Sequence, residues 1–138
     1  LGMKIKNAIA KKVKLKHPSL VEMNFLYGTI FTFPPSNKNN HSKNICVFAN
    51  GEVDRSPTGT GVSARAAVHF ARNEIKLNET IKIESIIGST FEVKVIEKIK
   101  IGPLNGVIPE VIGTANITGK NTFWIDSSDN IGEGFMLR

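Results

Sequence analysis

The sequence predicts one α+β domain over residues 1–138: a curved, mostly antiparallel sheet with a central helix of small residues packed inside it. Three observations predict this. The apolar residues Ile81, Ile83, Phe91, Val93, Val95, Ile99 and Ile101 all fall at odd positions, mostly with polar residues between them, which is the period-two signature of half-buried strands. An apolar run from Asn44 to Ala49 leads through a glycine-rich turn into Val62–Arg72, a segment of small helix formers in which Val62, Ala66, Val68 and Phe70 mark a helix for burial. The 138 residues, 41% of them hydrophobic, are enough to bury one core and too few for a second full domain.

In chain order, Leu1 to Lys16 reads as an amphipathic helix that stops near His17-Pro18, because proline disfavours helical geometry in the residue before it. A strand is expected from about Asn24 to Phe33. The stretch Pro34 to Ser42 is made of turn formers without a large aliphatic side chain, and is expected to be an exposed, mobile, noncatalytic loop. After the Asn44–Ala49 strand and the helix come the period-two strands, with a change of direction at Ile87-Gly88-Ser89. A last strand region runs from Val107 to Ile117, where Pro109 argues for an edge or a bulge, and Thr122-Phe123-Trp124-Ile125 precedes an acidic loop at Asp126 to Asp129.

Composition narrows the function classes. The net charge of +6 is localised: Lys4, Lys6, Lys11, Lys12, Lys14 and Lys16 precede the first acid, and the remaining 12 basic and 12 acidic residues cancel. The lysines occupy polar positions around Leu1, Ile5, Ile9 and Val13 without an aromatic platform, so they read as a solvated helix face rather than a nucleic-acid site. One cysteine, Cys46, excludes an internal disulfide and favours a reducing, cytoplasmic compartment, and its apolar strand points to core packing rather than nucleophilic chemistry. His17, His41 and His69 lack the paired spacing of metal ligands, so neither a metal nor a cofactor is expected. No apolar run approaches the roughly 20 residues that span a bilayer, and a signal peptide's continuous apolar stretch is missing, so no membrane partner is expected.

The chemistry concentrates in Asp54-Arg55-Ser56-Pro57-Thr58-Gly59-Thr60-Gly61. A carboxylate, a hydroxyl and a glycine-rich turn stand immediately before a helix, whose first N–H groups have no intrahelical partner and whose positive dipole end faces outward. Such a site holds a small anion without a cationic side chain, and Gly59 and Gly61 let backbone approach closely. The same residues are also ordinary capping and turn chemistry, and both readings stay open on the residues alone.

The run Asp54 to Arg65 resembles the second active-site motif of the proline racemase superfamily, in which a cysteine usually stands where this chain has Thr58. Glu84 to Phe91, Gly113 to Gly119 and the closing Gly132-Glu133-Gly134-Phe135 resemble the family's C-terminal half in the same order, so the resemblance covers nearly the whole chain. It implies one half of a diaminopimelate epimerase-like fold, in which two pseudo-symmetric halves enclose the substrate and each contributes one cysteine. The half carrying the other cysteine is expected to be missing from this chain, whose piece alone would then be inactive and self-associating through uncovered apolar surface, with a homodimer as one outcome.

Inversion at Cα needs a base on one face and an acid on the other, a task for which two thiols are suited and a threonine hydroxyl is far too weak. Thr58 is what trans-3-hydroxy-L-proline dehydratases of the superfamily carry, and dehydration needs deprotonation on one face only. The resemblance thus implies a hydro-lyase parent in which Asp54 holds the ring nitrogen, the Gly59 and Thr60 N–H groups hold the carboxylate, and Thr58 faces the ring. Phe48 is a candidate apolar wall for the ring, although an aromatic in a strand also reads as core. Arg55 is left out of the site, being as readily structural as a carboxylate clamp. The alternatives are a piece of a proline racemase or hydroxyproline epimerase, and a noncatalytic binding module that keeps the anion-binding turn alone.

Overall fold

The computed structural model describes residues 1–134, and Phe135 of the closing motif, expected to match the family, lies outside them. The helix α1 (Gly2–Lys12) is followed by a single 3-10 turn at Val21–Met23 and the strands β1 (Gly28–Phe33), β2 (Ser42–Phe48) and β3 (Glu52–Val53). The helix α2 (Gly59–Ala71) and the strands β4 (Ile81–Glu84), β5 (Thr90–Ile101) and β6 (Leu104–Ile112) complete the order. The main path of the sheet runs β1-β2-β4-β5-β6, with β3 paired to β2. Every pair is antiparallel except β2 with β4, so the expected α+β class with a mostly antiparallel sheet is what forms.

Register is set by side-chain pairs that face each other across strands. Lys82 opposite Glu92 and Lys94 opposite Glu110 form ion pairs at 2.8 and 2.7 Å, and a slip of one residue would turn all four away from their partners. Pro109 sits on the edge strand β6 beside the register shift between Val95 and Glu97, the edge and bulge that a missing N–H requires. Ile81, Ile83, Val93 and Val95, from the period-two runs, meet Val62 and Ala66 of α2 and Ile75 in the buried core.

Several boundaries differ from expectation. Helix α1 ends at Lys12, where Val13 turns extended, so lysines 14 and 16 lie beyond it. Its Leu1, Ile5 and Ile9 are exposed; the helix docks instead through Gly2, which lies against Val47 of β2. The first strand begins at Gly28 rather than Asn24, which instead ends the 3-10 turn as its C-cap. Helix α2 starts at Gly59, three residues early, so the glycine-rich turn is its first turn. Val68 is exposed: Val62, Ala66 and Phe70 repeat every four residues on the core face, and Val68 falls between them on the outer side.

The last strand ends at Ile112 rather than Ile117, and no strand follows among the described residues. Ile117, Phe123, Trp124 and Ile125 are almost fully exposed, at 99, 86, 91 and 93%. The loop is mostly exposed from Pro34 to His41, as expected, but Ser42 is buried as the first residue of β2, and the loop is tied down. The Glu84 carboxylate, 3% exposed, accepts the Ser36 and Asn37 N–H groups and the Asn40 side-chain amide, each at 2.8 Å. Among the described residues, no helix is long and apolar enough to cross a membrane.

Candidate active site

Strand β2 alternates its side chains, so Ser42, Asn44, Cys46 and Phe48 share one face while Val47 points to α1 on the other. Over that face passes Asp54 to Thr58, which leaves β3 and enters α2. The Asp54 N–H donates to the Cys46 carbonyl at 3.0 Å, pinning the start of the turn to the strand. The Asp54 carboxylate then closes the turn on itself: Oδ1 accepts the Ser56 N–H and Oδ2 accepts the Thr58 hydroxyl, both at 2.8 Å. Half-burial of the carboxylate opposes ionisation, but the donors of Ser56 and Thr58 and the nearby Arg55 charge outweigh it and hold its pKa below the usual value. Asp54 is therefore a carboxylate at neutral pH.

Thr58 is 6% exposed and adopts φ +70° and ψ 101°, a region that a β-branched residue rarely enters. Its side chain makes no capping bond to the helix; the hydroxyl turns back to Asp54 instead. Because the first intrahelical bond is Val62 N–H to the Thr58 carbonyl at 2.8 Å, the N–H groups of Gly59, Thr60 and Gly61 precede the helical ladder. The two glycines serve different ends. A Cβ at Gly61 would collide with the Ile30 side chain, whereas one at Gly59 would meet nothing within 4 Å.

Asp54, Thr58, Gly59 and Thr60 are thus brought together in one turn. Phe48 lies on the same β2 face two residues from Cys46, with its ring stacked on Tyr27 at 5.6 Å. Beside the turn, Asp54, Arg55 and Ser56 line a cleft of about 450 Å³ with Ile87, Ser89, Thr90, Phe91 and the segment Thr114–Asn116 and Thr118. The Ser89 hydroxyl donates to the Arg55 carbonyl at 3.2 Å and pairs with the Ser85 hydroxyl at 2.7 Å. Three of the four segments that carry the resemblance therefore converge, while Thr58, Gly59, Thr60 and Phe48 stand outside the cleft's lining.

Two features were not read from the sequence. Cys46 is buried at 3% as core packing requires, but it also underlies the site: burial raises its pKa, the Thr58 hydroxyl pulls it down, and the Asp54 charge raises it again. Buried polar residues also tie β2 to α2, with Asn44 bonded to Pro57 and Arg65 bonded to Asn44 and Ser42. The polar start Ser42-Lys43-Asn44 of a strand that is apolar from Ile45 to Phe48 was the available signal. Among the described residues, no three His, Cys, Asp or Glu side chains gather as a metal ion needs.

Comparisons with known proteins show the family and the fold. A family model described as proline racemase matches residues 1–136. The chain is 49% identical to a trans-3-hydroxy-L-proline dehydratase of Colwellia psychrerythraea, over 99% of this chain and 39% of the relative. It is 37% identical to a proline racemase of Clostridioides difficile, over 100% of this chain and 41% of that protein. The crystal structure of a hydroxyproline epimerase from Agrobacterium vitis, with bound trans-4-hydroxy-L-proline, matches with a TM-score of 0.80 and 29% identity, over 99% of this chain and 39% of the other. The chain spans about two fifths of the length of each of these relatives. With the family's description matched from residue 1 to residue 136, this chain belongs to the proline racemase family.

Proposed function

We propose that this chain is the C-terminal part of a trans-3-hydroxy-L-proline dehydratase, a cofactor-independent cytoplasmic hydro-lyase. The observation that carries the reading is Thr58, a hydroxyl bonded to a carboxylate at the position where, by the resemblance of the motif, a racemase of the family carries its second thiol. The one thiol nearby, Cys46, does not substitute for it, being buried and raised in pKa. The 49% identity to a dehydratase, against 37% to a racemase, points the same way.

The substrate is a zwitterion with an ammonium and a carboxylate on one carbon, and the turn offers the complement of both. The Asp54 carboxylate takes the ring nitrogen, and the Gly59 and Thr60 N–H groups take the carboxylate at the positive end of α2. Phe48 forms an apolar wall for the ring. A thiolate from the other half removes the Cα proton and leaves the electron pair on carbon. That pair forms the C2–C3 double bond as the C3 hydroxyl departs as water, the proton it gains offsetting the one the thiolate took from Cα so that the thiolate is regenerated, and the enamine tautomerises to the cyclic imine pyrroline-2-carboxylate. Thr58 hydrogen-bonds the departing hydroxyl through its free lone pairs.

The piece alone lacks the thiol and is inactive. Its exposed Ile117, Phe123, Trp124 and Ile125 fit burial against the missing half, or against a second copy in a homodimer. The test is to incubate the full-length protein separately with trans-3-hydroxy-L-proline, trans-4-hydroxy-L-proline and L-proline. Imine formation from the first alone is expected; loss of optical rotation with proline would overturn the reading in favour of a racemase.

A further inference from the structure

We infer that Asn44 and Arg65 are positioning residues that hold Thr58 in its strained conformation and so set the site; their catalytic consequence rests on the function proposed above. The Asn44 side chain, 1% exposed, donates its amide N–H to the Pro57 carbonyl at 2.9 Å. Its Oδ1 accepts from the Arg65 guanidinium at 2.7 Å. Both partners fix the amide's orientation, because a carbonyl only accepts and a guanidinium only donates. Arg65 also donates to Ser42 Oγ at 2.8 Å and to His69 Nε2 at 3.1 Å. With Nε2 accepting, His69 directs its Nδ1–H to Glu74.

The Pro57 carbonyl and the Thr58 N–H belong to one peptide plane. Asn44 holds the oxygen, and Ser56 Oγ accepts the N–H at 2.9 Å, so the plane is pinned on both sides. On the other side of Thr58, its carbonyl is held by the first bond of α2. The two torsions of Thr58 are therefore bracketed between fixed planes, and φ +70° persists although threonine disfavours it. That conformation aims the hydroxyl at Asp54. Arg65 stands seven residues after Thr58, so the helix that begins just after the strained residue also carries the arginine that braces it.

The test uses the full-length protein. Asn44→Ala and Arg65→Lys are expected to lower kcat for trans-3-hydroxy-L-proline by about tenfold or more with a much smaller change in KM, as for a displaced reacting group. Added guanidinium is expected to restore part of the activity lost in Arg65→Ala. An unchanged kcat in the folded Asn44→Ala and Arg65→Lys variants overturns the inference.

A readout without turnover separates this from the functional reading. Thr58→Gly relieves the strain at φ +70°, so the destabilisation caused by Asn44→Ala should shrink in the Thr58→Gly background. Additive effects overturn the inference even in an active enzyme. Coupled effects in a protein that dehydrates no hydroxyproline uphold the clamp and overturn the substrate instead.

Discussion

The hydroxyl of Thr58 donates to Oδ2 of Asp54 at 2.8 Å across a turn of five residues, joining the hydroxyl and the carboxylate of the motif directly. The bond works in both directions: it lowers the Asp54 pKa and directs the Thr58 side chain. Thr58→Val keeps the shape and removes the donor. It is expected to raise the Asp54 pKa, as followed by carboxyl NMR, and to cost about 1.5–3 kcal/mol as a lost hydrogen bond to a charged group. Thr58→Ser should retain both the pKa and a measurable share of turnover, and an Asp54 pKa that is the same in all three proteins would break the coupling.

Thr58→Cys tests the chemistry itself. If a thiolate from the other half acts alone because the second face offers only a hydroxyl, a thiol at position 58 supplies the missing acid and base. Some conversion of L-proline to D-proline is expected from the full-length variant, with slower dehydration of hydroxyproline. Complete absence of racemisation in an otherwise intact protein would count against the single-base argument.

How far the sequence reached depended on the range of the interactions. The motif from Asp54 to Gly61 was legible because its bonds are local, joining residues two and four positions apart. The strands were legible because burial on one face imposes a period of two. Asn44 and Arg65 were missed as a pair because 21 residues separate them and only the packing of α2 over β2 brings them together. The start of α2 was misplaced for a related reason. Gly59-Thr60-Gly61 has the composition of a turn, and only the contact of Gly61 with Ile30, 31 positions earlier in the chain, shows why a glycine stands inside the helix.

Glu84 supplies a pH dependence of known sign. The N–H groups of Asn37 and Ser36, followed by the Asn40 amide, lower its pKa from 4.5 to about 2. A folded-state pKa below the unfolded one contributes stability that is fully present above 4.5 and is lost as the pH falls toward 2. Unfolding midpoints measured across that window should fall more steeply for the native protein than for Glu84→Gln, which does not titrate. The Ser36 and Asn37 amide resonances should report the same transition. Equal slopes for the two proteins would mean that Glu84 does not anchor the loop through its charge.

The two glycines of the turn should separate folding from binding. At Gly61 an added methyl meets the Ile30 side chain and crowds the Thr58 Cβ and Cγ2 at 3.2 Å. Gly61→Ala is therefore expected to cost about 1–3 kcal/mol of stability, as overpacking does, with partial recovery in the Ile30→Val background. Gly59 has φ below zero and open space where its Cβ would stand. Gly59→Ala should leave stability unchanged or raise it by up to about 1 kcal/mol through helix propensity. Its methyl then enters the space where the proposed substrate carboxylate meets the Gly59 and Thr60 N–H groups, so KM for hydroxyproline should rise while kcat falls less. Urea unfolding and steady-state kinetics on both variants decide the matter. If Gly59→Ala destabilises as much as Gly61→Ala, the open face of the helix start is closed in the full-length protein, and an unchanged KM would remove the carboxylate from that position.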